Sequence, residues 1–411
     1  MSSFFAPYSS PIEEICDHLV AGRGIILVDD DDRENEGDLV YLADRLEPDA
    51  ITFMIRECGG LICLSMDRVQ AGRLGIGFQT EENRSAFGTP FAVTVGRREY
   101  AAGYAIGAAA RAHTVCSLVR EDAHPEEFIV PGCVVPLIAH ERGVFGRRGQ
   151  TEGSYDLARL CGAAPGAVIC EVLNPDGTLA RGSEIVTFAQ KHGLPITSIE
   201  KIREHRLAKY PLVRLTAEVP RATPYGEFRL LSFEDEVDLR EHLVFLKGPL
   251  TGSEDPAPLV RIHSECLTGD VLGSRRCDCG PQFAEAMRLV AQEGRGAVLY
   301  LRQEGRGIGL GNKLRAYELQ DTGLDTVDAN TALGFAPDER DYHVAAGILR
   351  NLKISRIRLL TNNPEKVAAL ESYGIEVVER IPSVVPADPV AARYLETKRT
   401  RMGHLLRTFD E

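Results

Sequence analysis

Residues 264–280, SECLTGDVLGSRRCDCG, place Cys266, Cys277 and Cys279 within one short, turn-rich stretch, at a spacing of Cys-x10-Cys-x-Cys. Zinc takes thiolate sulfur readily, and three protein ligands leave a fourth position for water, which separates a catalytic site from a closed structural one. Such a cation lowers the pKa of bound water from about 9 in solution towards ~7. Two other readings fit the same spacing: a structural knuckle completed by a distant His, and reduced thiols in a core. The other cysteines, Cys16, Cys58, Cys63, Cys116, Cys133, Cys161 and Cys170, are scattered through the first half and read mostly as small buried core residues.

A chain of 411 residues exceeds one ordinary core and implies at least two domains. Its net charge of −13 argues against a general nucleic-acid or membrane-surface binder, while leaving room for an anionic substrate held by local arginines. The start, MSSFFAPYSSPIEE, has neither a basic nor an apolar leader segment. No apolar run approaches the ~20 residues that span a bilayer. A cytoplasmic chain with reduced thiols is therefore expected, with no membrane and no nucleic acid as partner.

Strand-like and helix-like pieces alternate. GIILVDDDD, AFGTPFAVTVG and GAVICEVLN read as strands, and SEIVTFAQKHG as a helix capped by Ser183 and closed by Gly193. The pattern changes after KIREHRLAKYP, which sets domains at 1–207 and 208–411. In the second half LVRLTAEVP, PLVRIHSE, AVLYLRQEG, RIRLLTNN and YGIEVVERIP read as strands, and QFAEAMRLVAQEG and DERDYHVAAGILRNL as helices. The expected fold is α/β and α+β: two domains, each a mixed β-sheet layered with helices.

RQEGRGIGLGNK, residues 302–313, combines four glycines with Arg302, Arg306 and Lys313. Backbone N–H groups of such a loop can approach phosphate oxygens, although the pattern matches neither a Walker A sequence nor a dinucleotide fingerprint. TNNPEK adds Lys366 just after a strand. Together, RIHSECLTGDVLGSRRCDCGPQ, LYLRQEGRGIGLGNKLRAYELQDTGLDTVDAN, LGFAPDERDYHVAAGIL, RLLTNNPEK and KRTRMGHLL resemble GTP cyclohydrolase II of riboflavin biosynthesis over about residues 211–407. The resemblance implies zinc on Cys266, Cys277 and Cys279, and hydrolysis of GTP to 2,5-diamino-6-ribosylamino-4(3H)-pyrimidinone 5′-phosphate, formate and pyrophosphate. It implies catalytic roles for Asp338, Arg340 and Tyr317, with charge stabilisation of departing pyrophosphate the safer role for Arg340. The GTP contacts it implies are Arg261, Ile262, His263, Ser264, Glu265, Gln282, Glu304, Gly305, Arg306, Thr326, Thr361 and Lys366. Mg2+ is expected with the triphosphate.

DDDDRENEGDL, residues 29–39, with GTPFAVTV, GQTEGSYDLARLCGA, GAVICEVLNPDGTLAR and FAQKHGLPITSI, resembles 3,4-dihydroxy-2-butanone 4-phosphate synthase over about residues 10–206. That family uses Mg2+ and acid–base residues on ribulose 5-phosphate. Arg33, Glu34, Asp38, Thr151 and Glu171 match its substrate and metal positions. Gln150 stands in place of its metal-binding histidine, Val130 and Cys133 replace the arginine and histidine of RPGH, and Phe87, Gly96 and Ala110 also depart. General acid–base groups contribute ~10²–10⁴-fold each, so these losses predict a first half that folds without catalysing, a vestigial site. A working bifunctional enzyme and a binding, regulatory or dimerisation module are the alternatives. Both families commonly form homodimers, so a homodimer is expected.

Overall fold

The computed structural model describes residues 4–30, 33–101, 105–250, 256–385, 388–401, 403 and 405. The chain divides into two compact units, Met1–Arg206 and Leu207–Glu411, and each holds a seven-stranded mixed sheet with helices, the fold class expected.

The first sheet comprises β1 (Ile25–Val28), β2 (Gly37–Leu42), β3 (Cys63–Met66), β4 (Val95–Arg97), β5 (Phe128–Ile138), β6 (Gly166–Glu171) and β7 (Ile196–Ser198), in the order β4-β5-β3-β6-β2-β1-β7. β1 reads IILV without alternation because both of its faces are covered. Successive side chains point to opposite faces, so Ile26 and Val28 enter one apolar cluster while Ile25 and Leu27 enter another. Asp38 on β2 lies directly across from Glu171 on β6, which brings two acidic residues together inside the sheet.

Two expectations needed correction here. Only the last two residues of AFGTPFAVTVG join a strand, Val95–Arg97, with isolated bridges at Phe91 and Ala92. Pro90 has no N–H to give, and Gly88 turns the chain at φ 65. The helix Ser183–His192 is not capped by Ser183, which is its first residue. Gly182 precedes it, and Glu184 ties down the helix start by accepting from Arg181 N–H at 3.0 Å. Gly193 closes it in the left-handed conformation, as read.

The second sheet comprises β8 (Val213–Thr223), β9 (Gly226–Asp235), β10 (Glu241–Lys247), β11 (Leu259–Ser264), β12 (Gly296–Leu301), β13 (Arg356–Leu360) and β14 (Glu376–Ile381), in the order β14-β13-β11-β12-β10-β9-β8. β8, β9, β10 and β12 pair antiparallel, whereas β12, β11, β13 and β14 run parallel. Val260 and Ile262 of β11 face the main core, and Leu259 faces a second cluster on the other side. Arg261 and His263 share that second side by alternation.

The helix expected over DERDYHVAAGILRNL begins only at His343 and runs to Asn351. Asp338 and Asp341 hold back the preceding turn. Their carboxylates accept from the backbone N–H groups of Arg340 (3.1 Å) and His343 (2.8 Å), offering the backbone an alternative to helix.

The helix Ile199–Lys209 is tied to the first unit by Arg206, which donates to Asp156 Oδ2 at 2.7 Å in a buried pair. Asp156 Oδ2 also accepts from Val144 N–H at 2.9 Å. Arg206→Ala would strand a buried carboxylate, and a loss of ~3–5 kcal/mol is expected for this unit. Amide hydrogen exchange of the β1–β3 core in the full chain measures it.

Candidate active site

β11, β12 and β13 are parallel, so the segments that leave their carboxyl ends emerge along one edge of the second sheet. Ligands in open α/β sheets bind outside such ends. Glu265 and Cys266 follow β11, the glycine-rich loop follows β12, and Thr361–Asn363 follow β13. All three segments line one cavity, together with Cys277, Cys279, Gln282, Tyr317, Thr326, Arg340 and Lys366.

The thiols of Cys266, Cys277 and Cys279 offer ligand atoms within 4.8 Å of one another. Cys266 Sγ lies 3.6 Å from Cys277 Sγ, near the ~3.8 Å that two sulfurs at ~2.3 Å from a tetrahedral zinc would show. Gly269 makes this approach feasible: a Cβ there would stand 2.7 Å from Cys277 Sγ and 3.1 Å from Cys266 Sγ. Hydrogen bonds from the Cys277 and Cys279 thiols, and then the Lys313 ammonium, pull the Cys266 thiol far below its ordinary pKa. Cys277 and Cys279 are pushed up by that same sharing, so the trio holds one negative charge readily and further charges only with a cation. The donor set therefore fits a soft divalent metal.

Lys313 is more than a loop charge: its Nζ bonds Cys266 Sγ (3.1 Å), Thr268 Oγ1 (2.9 Å) and Glu304 Oε1 (2.8 Å), contacts that its spacing in the sequence does not reveal. Burial works against its charge, and Glu304 and Cys266 overcome that and raise its pKa. Beneath the thiols, Asp270 accepts from Cys266 N–H (2.9 Å) and Tyr300 Oη (2.9 Å) and lies 3.1 Å from His263 Nε2. His263 thus supports the thiol turn as well as lining the cavity.

The loop after β12 owes its shape to three consecutive left-handed residues, Gly305 (φ 63), Arg306 (φ 62) and Gly307 (φ 97). A side chain at Gly307 would meet the Glu339 backbone at 2.9 Å, so the loop can lie close against the segment that carries Asp338 and Arg340. Arg340 Nε donates to Asp338 Oδ1 at 2.8 Å, and a second charged contact joins the same two side chains. Arg340 lines the cavity, and Asp338 anchors it there.

Arg261 donates to Gln282 Oε1 (2.6 Å) and to Leu360 C=O (2.9 Å). Gln282 passes the link to Asp278, which also accepts from Lys398 Nζ at 2.9 Å. Lys398 and Arg276 are further lining cations, and Arg276 stacks over the Tyr317 ring at 5.1 Å. Lys366 donates to Ile262 C=O at 2.9 Å, and burial, then Arg261 and Arg340, hold its pKa well below the usual range. Ser264, Glu304, Gly305, Arg306 and Thr361 reach the cavity as expected by position. Ile262 does not: its side chain belongs to the core, because β11 alternates, and only its carbonyl serves the site.

In the first unit, Asp29 accepts from Arg33 Nη1 (2.7 Å), Glu34 N–H (3.2 Å) and Glu36 N–H (2.9 Å), and Arg33 also pairs with Glu34. Burial, then Glu34, pushes Glu36 up to about 8. Burial and Glu171 push Asp38 well above the carboxylate range. Gln150 Nε2 donates to Glu36 C=O at 3.3 Å, and Thr151 follows it, buried. Asp38 Oδ1 and Gln150 Oε1 are buried without a hydrogen-bond partner. Crowded acids and unsatisfied oxygens fit a hard divalent cation such as Mg2+. Phe87 lies under the Arg33 guanidinium at 5.1 Å. Ala110 is buried in the helix Ala108–Leu118, and Val130 is exposed on β5, so neither offers a polar group. Asp31 and Asp32 lie outside the described residues.

Gly269→Ala is expected to reduce bound zinc to well below one ion per chain, as atomic spectrometry of the purified protein would measure; full occupancy would refute the fit.

The model of the 3,4-dihydroxy-2-butanone 4-phosphate synthase family matches residues 13–205, and that of GTP cyclohydrolase II matches residues 214–382. The riboflavin biosynthesis protein RibBA of Bacillus subtilis is 47% identical over 396 residues, covering 96% of this chain and 99% of its own. The protein of the same name from Chlorobium phaeovibrioides is 43% identical over 395 residues, covering 96% of each. Among solved structures, RibBX, a two-domain 3,4-dihydroxy-2-butanone 4-phosphate synthase from A. baumannii, superposes with a TM-score of 0.59 at 31% identity over 90% of this chain. These likenesses do not support a degenerate first half: the synthase match runs through the substituted positions. The geometry gives a reason, since Gln150 is held by its Nε2–Glu36 carbonyl bond, and Asp38 still has Glu171 and Glu36 beside it. With both halves matched in order along nearly its whole length, the chain belongs to the family of the riboflavin biosynthesis proteins RibBA.

Proposed function

We propose that the second unit hydrolyses GTP as a zinc-dependent GTP cyclohydrolase II, releasing formate and pyrophosphate and leaving 2,5-diamino-6-ribosylamino-4(3H)-pyrimidinone 5′-phosphate. One observation carries the reading: three convergent thiols share a single cavity with Arg261, Arg306, Arg340 and Lys366, so a soft-metal site faces groups suited to a polyanion. Cys266, Cys277 and Cys279 would hold zinc, which supplies Lewis acidity and an activated water for opening the imidazole ring of guanine.

The chain's own groups bind and orient. Lys366, kept short of charge by burial, regains it against a triphosphate, and Arg261 and Thr361 stand beside it in the cavity. Arg340, fixed by Asp338, stabilises charge on the departing pyrophosphate. Burial raises the Tyr317 hydroxyl, which stays protonated near neutrality and able to donate to the reacting ring. Mg2+ accompanies the triphosphate, and the active species is a homodimer.

For the first unit, the synthase reading fits the comparisons better than a vestigial domain. We propose that it forms 3,4-dihydroxy-2-butanone 4-phosphate from ribulose 5-phosphate with Mg2+ near Glu36, Asp38 and Gln150, at a rate limited by the missing imidazole. A glutamine amide can hold a cation but cannot shuttle protons near neutral pH.

Formate release distinguishes the two halves. Cys277→Ser is expected to lower formate from GTP by at least ~10²-fold while leaving formate from ribulose 5-phosphate unchanged. Undiminished GTP turnover in that variant would remove zinc from the mechanism. Gln150→His is expected to raise formate from ribulose 5-phosphate by ~10-fold or more. No formate from either the parent or this variant would leave the first unit as a binding or dimerisation module.

A further inference from the structure

Arg340 sits on a segment without regular structure, between the helices Thr326–Ala332 and His343–Asn351, so something must fix it. One side is clear: Glu339 N–H donates to Arg306 C=O at 3.0 Å, and Gln303 Nε2 donates to Asp341 C=O at 2.6 Å. The other side is His343, a residue used by neither the thiol site nor the cavity lining. Its Nδ1 lies 3.1 Å from Asp341 Oδ2, and its Nε2 lies 3.5 Å from Asp235 Oδ2. Asp235, the last residue of β9, is buried and held by Val237 N–H (3.0 Å) on its other oxygen. Asp341 is itself held by the Tyr373 hydroxyl at 2.9 Å.

We propose that His343 is a positioning residue: as an imidazolium between Asp235 and Asp341, it clamps the Asp338–Arg340 segment to the end of β9 and so holds Arg340 in the cavity. Neither contact is aligned as a hydrogen bond, so charge rather than direction holds the bridge. Burial opposes that charge, and the two carboxylates overcome it, raising His343 to about 9. Its other neighbours leave the balance intact. Burial lowers His242 to about 4, so it is neutral at working pH. Arg240 is engaged by Asp238 at 3.2 Å, and Arg302 by Glu265 at 3.8 Å. Burial, then Asp341, raises the Tyr373 hydroxyl, which stays neutral. The cluster of Asp235, Asp238 and His242 is not a better cation site, because His242 Nδ1 accepts from Arg302 N–H at 3.1 Å and its remaining nitrogen must carry the proton.

A group raised above its ordinary value of ~6.5 contributes fully below that pH and is lost as pH rises through its folded value. The clamp should therefore hold at neutrality and release through about pH 9. The kinetic consequence rests on the cyclohydrolase reading above; the clamp itself does not.

The test uses the full chain with His343→Asn and, separately, Asp235→Asn. In the parent, amide protection factors over residues 336–343 should fall as pH passes about 9. His343→Asn should lack that step and show the lower protection at neutral pH, with bound zinc unchanged. Asp235→Asn should move the step, and the NMR titration of His343, to lower pH. With GTP, His343→Asn should reduce kcat by about tenfold with little change in KM, as expected for a contact made mainly in the transition state. Unaltered protection in His343→Asn, or an unshifted titration in Asp235→Asn, overturns the clamp. If the parent releases no formate from GTP, the cyclohydrolase reading fails, while exchange and titration still decide the clamp.

Discussion

Cys266, Cys277 and Cys279 bring three potential anions within 4.8 Å, and the surrounding residues are arranged to tolerate that charge. Lys313 supplies a counter-charge from the helix that follows the glycine-rich loop, and Glu304 keeps the lysine ionised from the loop itself. Asp270 pins the backbone of the thiol turn and is pinned in turn by Tyr300. Remove the sulfur cluster and Lys313 is a buried cation with one carboxylate partner, Glu304. The loop after β12, the turn after β11 and the helix Gly309–Asp321 are therefore linked through one electrostatic arrangement.

The two units solve opposite problems of burial. The second gathers cations around a cavity and leaves Lys366 short of charge, a state that an incoming polyanion relieves. The first gathers carboxylates, leaving Glu36 and Asp38 protonated more readily than free acids, a state that a divalent cation relieves. On the functions proposed above, each ligand would relieve such a mismatch, which would couple affinity to the protonation of the site.

Much of the architecture was legible because both sheets are built from apolar runs with clear limits, such as IILV for β1 and GAVLYL for β12. The thiol site was legible from three cysteines and their spacing, and most cavity residues from motifs carried by position. What escaped depended on side chains competing with the backbone or on alternation in three dimensions. Asp338 and Asp341 cap their own turns and delay a helix that periodicity extends through them. Ile262 faces the core because its neighbours on β11 face the cavity. Lys313 reads as one more loop cation until the fold sets its ammonium against Cys266. Gln150 lacks the imidazole expected at its position, and its amide contact to the Glu36 carbonyl comes from the fold rather than from any motif.

The separation into two sheets, each with its own apolar clusters, has a consequence for output. A single polypeptide delivers its two sites one to one, whatever its abundance in the cell. Expression level then scales both together and cannot change their ratio. Individual side chains can, and on the synthase reading proposed above an exchange at Gln150 would shift the balance without touching the core that supports the other site.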